Sequence, residues 1–348
     1  MAGVKPSVQR GLKICFTIVG TNIGAGFASG REIWEFFGSY GTKSSLYLVI
    51  SMVLFSVCSM IVLWISWKQR TDHYYSVLTS IMGKRMAGFF DGLILLYLIS
   101  SALVMFAGSG ATFSQWNMSF FLGSAVLALA VWPILFRDVN GLMSLNYYLM
   151  PCLTVILVTV CLIFLFYGEP QQVAVHTDME WLSAWPSAVT YAALNVIPLM
   201  AVLATLGKEV GHPLEIGIAG VGSGVCLGVV AVLFNVSLLR VENIIPQYDI
   251  PLFALINAYS TVWLAVISII LWLAIYTTAV SGVYGAVYRI SSWTSIPRWG
   301  IALVIVVALI PLSQLGFATL VKVLYPLYGI LNLFVLSMIL LYPLSRAH

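Results

Sequence analysis

The chain has 348 residues, of which 61% are hydrophobic and 8% charged, and its mean hydropathy is +1.01. That excludes a soluble globular protein, in which charged residues make up about a quarter of the chain. Its net charge of +4 comes with no basic run of the kind that binds nucleic acid, so the class that remains is a polytopic all-α membrane protein. The five cysteines, Cys15, Cys58, Cys152, Cys161 and Cys226, all fall in apolar stretches without paired spacing. They read as small core residues, with no disulfide or metal framework.

At the N-terminus, Lys5, Arg10 and Lys13 precede an apolar run, an arrangement that imitates a signal peptide. Thr21 and Asn22 interrupt that run, and another stretch of membrane depth follows, so the segment is expected to be retained as a first span. Its middle reads Gly20-Thr21-Asn22-Ile23-Gly24-Ala25-Gly26-Phe27-Ala28-Ser29-Gly30, followed by Arg31-Glu32-Ile33-Trp34-Glu35. The glycines predict a break in a membrane helix. In hydrocarbon an unpaired peptide group costs several kcal/mol, so a break persists only where it lines a protein-walled cavity or holds a ligand. The alternative reading is close packing of continuous helices through the small-xxx-small spacings of Gly20 with Gly24 and Gly26 with Gly30. Packing explains the spacing but leaves the polar neighbours without a role.

Hydropathy predicts ten spans, near 12–38, 44–67, 86–113, 119–136, 141–167, 186–206, 214–239, 258–290, 297–315 and 318–344. With the N-terminus inside, the cytoplasmic side receives Lys5, Arg10, Lys13, Lys68, Arg70, Lys84, Arg85, Arg137, Lys208, Arg289, Arg298 and Arg346. The outer side receives Lys43 and Arg240, so both termini are expected in the cytoplasm. Two longer outer loops, 168–185 with Trp181 and Trp185 and 240–257 with Pro246 and Pro251, read as short interfacial helices, either capping an outer vestibule or simply anchoring at the interface.

The sixth span carries Tyr191, Asn195 and Pro198 at mid-depth, which predicts a second break, or else a simple proline kink. Five spans separate it from the first. An odd number of crossings per half makes the halves antiparallel, and interrupted helices in matching places of inverted halves point to a transporter's binding site. The third span, with Tyr97, Ser100 and Ser101, and the eighth, with Tyr276, Thr277, Thr278 and Ser281, share a hydroxyl-rich centre. Such hydroxyls either face a site or bond back to their own helix.

With these features the chain resembles the LeuT fold, the five-plus-five inverted repeat of the amino acid–polyamine–organocation superfamily. The run from Gly24 through Ala25, Gly26, Phe27, Ala28, Ser29, Gly30, Arg31 and Glu32 to Ile33 is similar to the opening of YkvI-type bacterial membrane proteins. The resemblance implies a first repeat over 1–167, a loop helix at 168–185 and a second repeat over 186–348, with helices 1 and 6 broken. It also implies one coupling Na+ held by the carbonyls of Gly20, Ile23 and Ala274 and the hydroxyls of Thr277 and Thr278, Ser281 being the alternative if the register slips. Proton-driven relatives replace the ion with a helix 5 lysine, and 141–167 contain none. A second sodium would need a side-chain oxygen where Phe27 stands.

For the solute, the helix restart near Gly24, Ala25 and Gly26 offers free N–H groups to a carboxylate. Asn22, Tyr97, Ser101, Tyr191, Asn195 and Tyr276 are expected around it. No acid is expected at mid-membrane depth, which favours a zwitterion such as an amino acid over a monoamine. Arg31, Glu32 and Glu35, with Lys322, are expected to form an outer gate, Lys322 pairing with Glu32 or Glu35, or else to snorkel to the headgroups. The function implied is a sodium-coupled secondary transporter in a bacterial cell membrane, or alternatively a ligand-sensing receptor subunit on the same fold. The sequence contains no HExxH, GxSxG or P-loop, and neither an enzyme nor an organic cofactor is expected. The expected partners are a small-molecule solute and membrane lipid, without nucleic acid, the chain being a monomer or a loose dimer.

Overall fold

The computed structural model describes residues 7–41, 43–71, 73–133, 140–168, 184–257 and 259–345, and among them the regular structure is entirely helical. The helices are α1 (Val8–Asn22), α2 (Ala25–Ala28), α3 (Arg31–Phe36), α4 (Ser44–Gln69), α5 (Tyr74–Ser114), α6 (Phe120–Val131) and α7 (Asn140–Tyr167). They continue as α8 (Trp185–Leu206), α9 (Pro213–Leu239), α10 (Pro251–Ile256), α11 (Thr261–Ser291), α12 (Arg298–Ser313) and α13 (Phe317–Ser345). Seven of them, α4, α5, α7, α8, α9, α11 and α13, are long and apolar enough to cross a membrane, and α6 and α12 are shorter apolar helices. Side chains such as Phe16, Leu129, Phe166 and Val262 are exposed, as a lipid-facing surface requires.

The first expected span is in three pieces, α1, α2 and α3. By contrast, α8 runs unbroken from Trp185 to Leu206 with Pro198 inside it, so the break expected in the sixth span is a correction. Pro198 removes one ladder N–H, but neighbours on both flanks hold the rest of the helix: α8 packs against α4 and α13. The loop helix expected at 168–185 falls almost wholly outside the described residues. The outer segment at 240–257 differs from expectation as well, because α10 is buried along its whole length rather than lying at the interface. It packs on α3, α7, α9 and α11.

Helix contacts are made close by small residues, as membrane packing demands. Along α9 and α4, Ser56 donates to the Gly220 carbonyl at 2.8 Å, and a Cβ at Gly224 would stand 2.7 Å from that of Ser56. The main neighbour pairs are α4 with α8 and α9, α1 with α9, α5 with α6 and α11, α8 with α13, and α11 with α12. This scaffold holds the pieces of the first span at its centre, where Ile23, Ala28, Ile33, Phe36 and Phe37 are buried to 2% exposure or less.

Candidate functional site

The hydrogen-bond ladder of α1 ends when the Ile23 N–H donates to the Val19 carbonyl at 2.9 Å, and it resumes when the Ala28 N–H donates to the Gly24 carbonyl at 2.9 Å. Among the described residues, no ladder bond ties the N–H groups of Gly24, Ala25, Gly26 and Phe27 to the carbonyls of Gly20, Thr21, Asn22 and Ile23. A Cβ at Gly24 would meet nothing within 4 Å, whereas packing glycines elsewhere press on neighbours. Open space therefore adjoins Gly24, beside the interruption. The short α2 that follows packs against α11 and α7.

A second interruption lies at Ser29 and Gly30, and its polar groups are accounted for. The Ser29 hydroxyl donates to the Gly26 carbonyl at 2.7 Å and accepts from the Arg31 N–H at 3.2 Å. The Ser29 carbonyl accepts from the Leu252 N–H at 2.9 Å, which fastens α10 over the break. Gly30 has φ +77°, the left-handed region that L side chains rarely adopt. After that turn α3 carries Glu32 back over α2, so that a Cβ at Gly26 would collide with the Glu32 carboxylate and stand 3.1 Å from the Tyr325 hydroxyl.

Glu32 is thus the centre of a polar cluster. The Tyr191 hydroxyl on α8 lies 3.4 Å from its Oε2. Tyr97 on α5 and Tyr325 on α13 lie within its electrostatic reach, as Tyr97 does of Tyr328. The Tyr97 and Tyr328 rings meet edge to face at 5.4 Å, and the Tyr328 hydroxyl is 2.7 Å from Ser100 Oγ. Tyr191, Tyr325 and Tyr328 keep 2%, 8% and 7% exposure, while Glu32 and Tyr97 remain half-buried and so border space large enough for water. Among the described residues, no basic side chain stands within ion-pair distance of Glu32. The sequence reading missed Tyr325 and Tyr328, and it treated Glu32 as a gate. The carboxylate expected on the outer half of the first span is folded back beside Gly26. In a straight helix Gly26 and Glu32 stand about 9 Å apart along the axis and on different faces, and only the turn at Gly30 brings them together.

The residues expected to hold the ion divide between two elements. Thr277 is fully buried and Thr278 half-buried, and their hydroxyls donate to the Ala274 carbonyl at 3.1 and 2.8 Å. The two hydroxyl oxygens keep lone pairs of the kind a small hard cation prefers, while the Ala274 carbonyl already accepts from both. Ser281 is exposed and donates to the Thr277 carbonyl at 2.9 Å, away from any such set. Gly20 looks toward Met150 of α7, 3.6 Å from its missing Cβ.

Several expected solute contacts are turned to their own helices. Asn22 donates to the Ile18 carbonyl at 2.8 Å and Asn195 to the Tyr191 carbonyl at 2.9 Å, the self-bonding that polar side chains adopt in apolar helices. Tyr276 stacks on Trp272, centroids 5.8 Å apart, and Ser101 is half-buried on α5. The expected carboxylate site at Gly24, Ala25 and Gly26 has Glu32 as a neighbour. It heads a helix of four residues, too short for a substantial dipole.

The expected gate pairing with Lys322 is corrected too. Arg31 pairs with Glu35 at 2.6 Å, one turn on, and reaches the Tyr248 carbonyl at 3.4 Å. Lys322 is exposed on α13. Among the described residues, no three His, Cys, Asp or Glu side chains gather into a metal-binding group.

No family model matches the chain. It is 36% identical to YyaD of Bacillus subtilis over 339 residues, covering 97% of this chain and 98% of YyaD. With the membrane protein YkvI of the same organism it shares 26% identity over 325 residues, 92% of each chain. Among solved structures, it is similar to a variant of the Eremococcus coleocola manganese transporter, with TM-score 0.66, 14% identity, and 98% of this chain matched to 81% of that one. It is similar also to MhsT in complex with L-phenylalanine, again with TM-score 0.66 and 14% identity, over 95% of this chain and 88% of that one. These likenesses show the LeuT fold and a multi-pass membrane protein.

Proposed function

The chain belongs to the family of Bacillus subtilis YyaD, and from that premise we propose that it is a sodium-coupled secondary transporter of a small organic solute. One observation carries the reading: the first span loses its ladder beside open space at Gly24, in a fold that a manganese transporter also adopts. Peptide groups left bare in a membrane interior need a ligand, and a transporter supplies one transiently.

The coupling ion takes the carbonyls of Gly20, Ile23 and Ala274 and the hydroxyls of Thr277 and Thr278. Supporting this are the burial of Thr277 and the packing of α2 on α11. The solute occupies the open space beside Gly24 and the partly exposed side of Glu32 and Tyr97. Ten spans divide into halves 1–167 and 186–348, with both termini cytoplasmic, and the chain has no catalytic role.

The packing supports that division. Let the first span correspond to α8, α4 to α9, α5 to α11, α6 to α12 and α7 to α13. Exchanging partners then turns α4 against α8 into α9 against α1. In the same way α5 against α6 becomes α11 against α12, α5 against α13 becomes α11 against α7, and α7 against α9 becomes α13 against α4. All of these neighbours are present. Such exchange symmetry is what two repeats rocking around a shared site require.

The test is uptake of labelled solutes into proteoliposomes with and without an inward sodium gradient. Uptake should rise with the gradient, and Thr277→Ala and Thr278→Ala should each weaken sodium dependence about tenfold or more, while Ser281→Ala leaves it unchanged. Equal uptake with and without sodium across the panel would overturn the coupling.

A further inference from the structure

We propose that the Glu32 carboxylate and the tyrosines around it form the recognition site for a positively charged organic amine, so that the transported solute is an alkylammonium compound without a carboxylate of its own. This rests on the transporter reading above and names the chemistry of its substrate.

Three observations converge on it. Glu32 carries a carboxylate in the interior of the bundle with no basic side chain in reach among the described residues. Its nearest basic neighbour in sequence, Arg31, is committed to Glu35 and to the Tyr248 carbonyl. A carboxyl group buried without a counterion is expensive to ionise, and in membrane interiors such a group marks a ligand or ion path. What surrounds it instead are phenols from three helices: Tyr191 at 3.4 Å, with Tyr97 and Tyr325 in its electrostatic field and Tyr328 against the Tyr97 ring.

A carboxyl group lined by phenols is an arrangement that selects a cation, because a bound positive charge favours the ionised carboxylate. The carboxylate supplies the counter-charge, the rings supply cation–π attraction to methyl or methylene groups bearing the positive charge, and the hydroxyls accept from ammonium N–H groups. A solute carboxylate meets the opposite situation, because the position beside Gly26 is already filled by the Glu32 oxygens and a second anion there is repelled. The partial exposure of Glu32 and Tyr97 amid buried tyrosines leaves the side on which the guest docks. Gly26 belongs to the same arrangement, since any side chain there would displace the carboxylate.

The experiment measures binding to the purified full-length protein in nanodiscs by calorimetry. Tetramethylammonium, ethylammonium and phenethylammonium are compared with alcohols of matching shape and with the corresponding amino acids. The expected result is that at least one ammonium compound binds about tenfold or more tighter than its alcohol and its amino acid. Glu32→Gln, nearly isosteric and checked for an unchanged elution profile, should abolish that preference, and Tyr97→Phe should reduce affinity several-fold while keeping it. The proposal is overturned if no ammonium compound binds at millimolar concentration, if alcohol or amino acid binds as well, or if Glu32→Gln keeps the preference. Uptake separates this from the transporter reading. Ammonium binding through Glu32 without any uptake would sink transport and leave the site standing, whereas sodium-driven uptake of amino acids unaffected by Glu32→Gln would do the reverse.

Discussion

Arg289 on α11 forms an ion pair with Asp91 on α5, and a single phenol closes the triangle. The Tyr74 hydroxyl donates to Asp91 at 2.8 Å and accepts from Arg289 at 3.0 Å. Tyr74 begins α5, and a non-helical glycine, Gly83, separates that first piece from the rest of the helix. The triangle therefore fastens three segments at the end of the bundle opposite α10.

Asp91→Asn should loosen this fastening while leaving the Tyr74 contact geometrically possible. A charge-assisted network of this kind contributes about 1–3 kcal/mol. The measurable consequence is faster hydrogen exchange over 74–82, with α10 unaffected. Arg289→Lys should fall between, because an ammonium cannot serve both partners as a guanidinium fork does. Unchanged exchange over 74–82 in Asp91→Asn would show that the triangle carries no fastening role.

Gly30→Ala tests the turn on which the Glu32 site depends. The residue sits at φ +77°, and a Cβ would stand 2.7 Å from Phe234 Cζ. Backbone strain alone costs about 1–3 kcal/mol, and the clash adds to it. A lowered melting temperature is expected in detergent, with Phe234→Leu recovering only part of the loss, since removing the ring relieves the clash but not the dihedral. Complete recovery in the double variant would mean that the left-handed turn is not required.

Glu215 holds the start of α1 against α9. It is fully buried, accepts from the Ser7 N–H at 3.0 Å and the Gly211 N–H at 2.9 Å, and pairs with Arg10 at 3.3 Å. Glu215→Gln turns an amide NH2 toward one of those N–H donors and removes the charge. A loss of about 1–3 kcal/mol is expected, read as a lower melting temperature together with faster exchange over 7–13. If exchange there is unaltered, α1 is held by its apolar packing alone.

Much about this protein was legible from composition and pattern. Apolar runs of the right length mark a membrane bundle because no other environment tolerates them. Three glycines amid Thr21 and Asn22 mark the place where α1 stops, because local backbone preference and side-chain size act within a few residues. Three-dimensional packing decided the rest. Pro198 predicts a break with the same local logic, yet α8 continues because α4 and α13 grip it. Asn22 and Asn195 have the right chemistry for a solute, but their amides are satisfied one turn back.

Glu32 shows the division most plainly. Its position in the chain places it about 1.7 helical turns beyond Gly26, facing elsewhere, and only the left-handed residue between them returns its carboxylate to the break. The tyrosines that surround it come from α5, α8 and α13, up to 296 residues away along the chain. No short-range pattern encodes that meeting. It exists because helices far apart in sequence pack side by side, and that packing decides which polar groups share the interior.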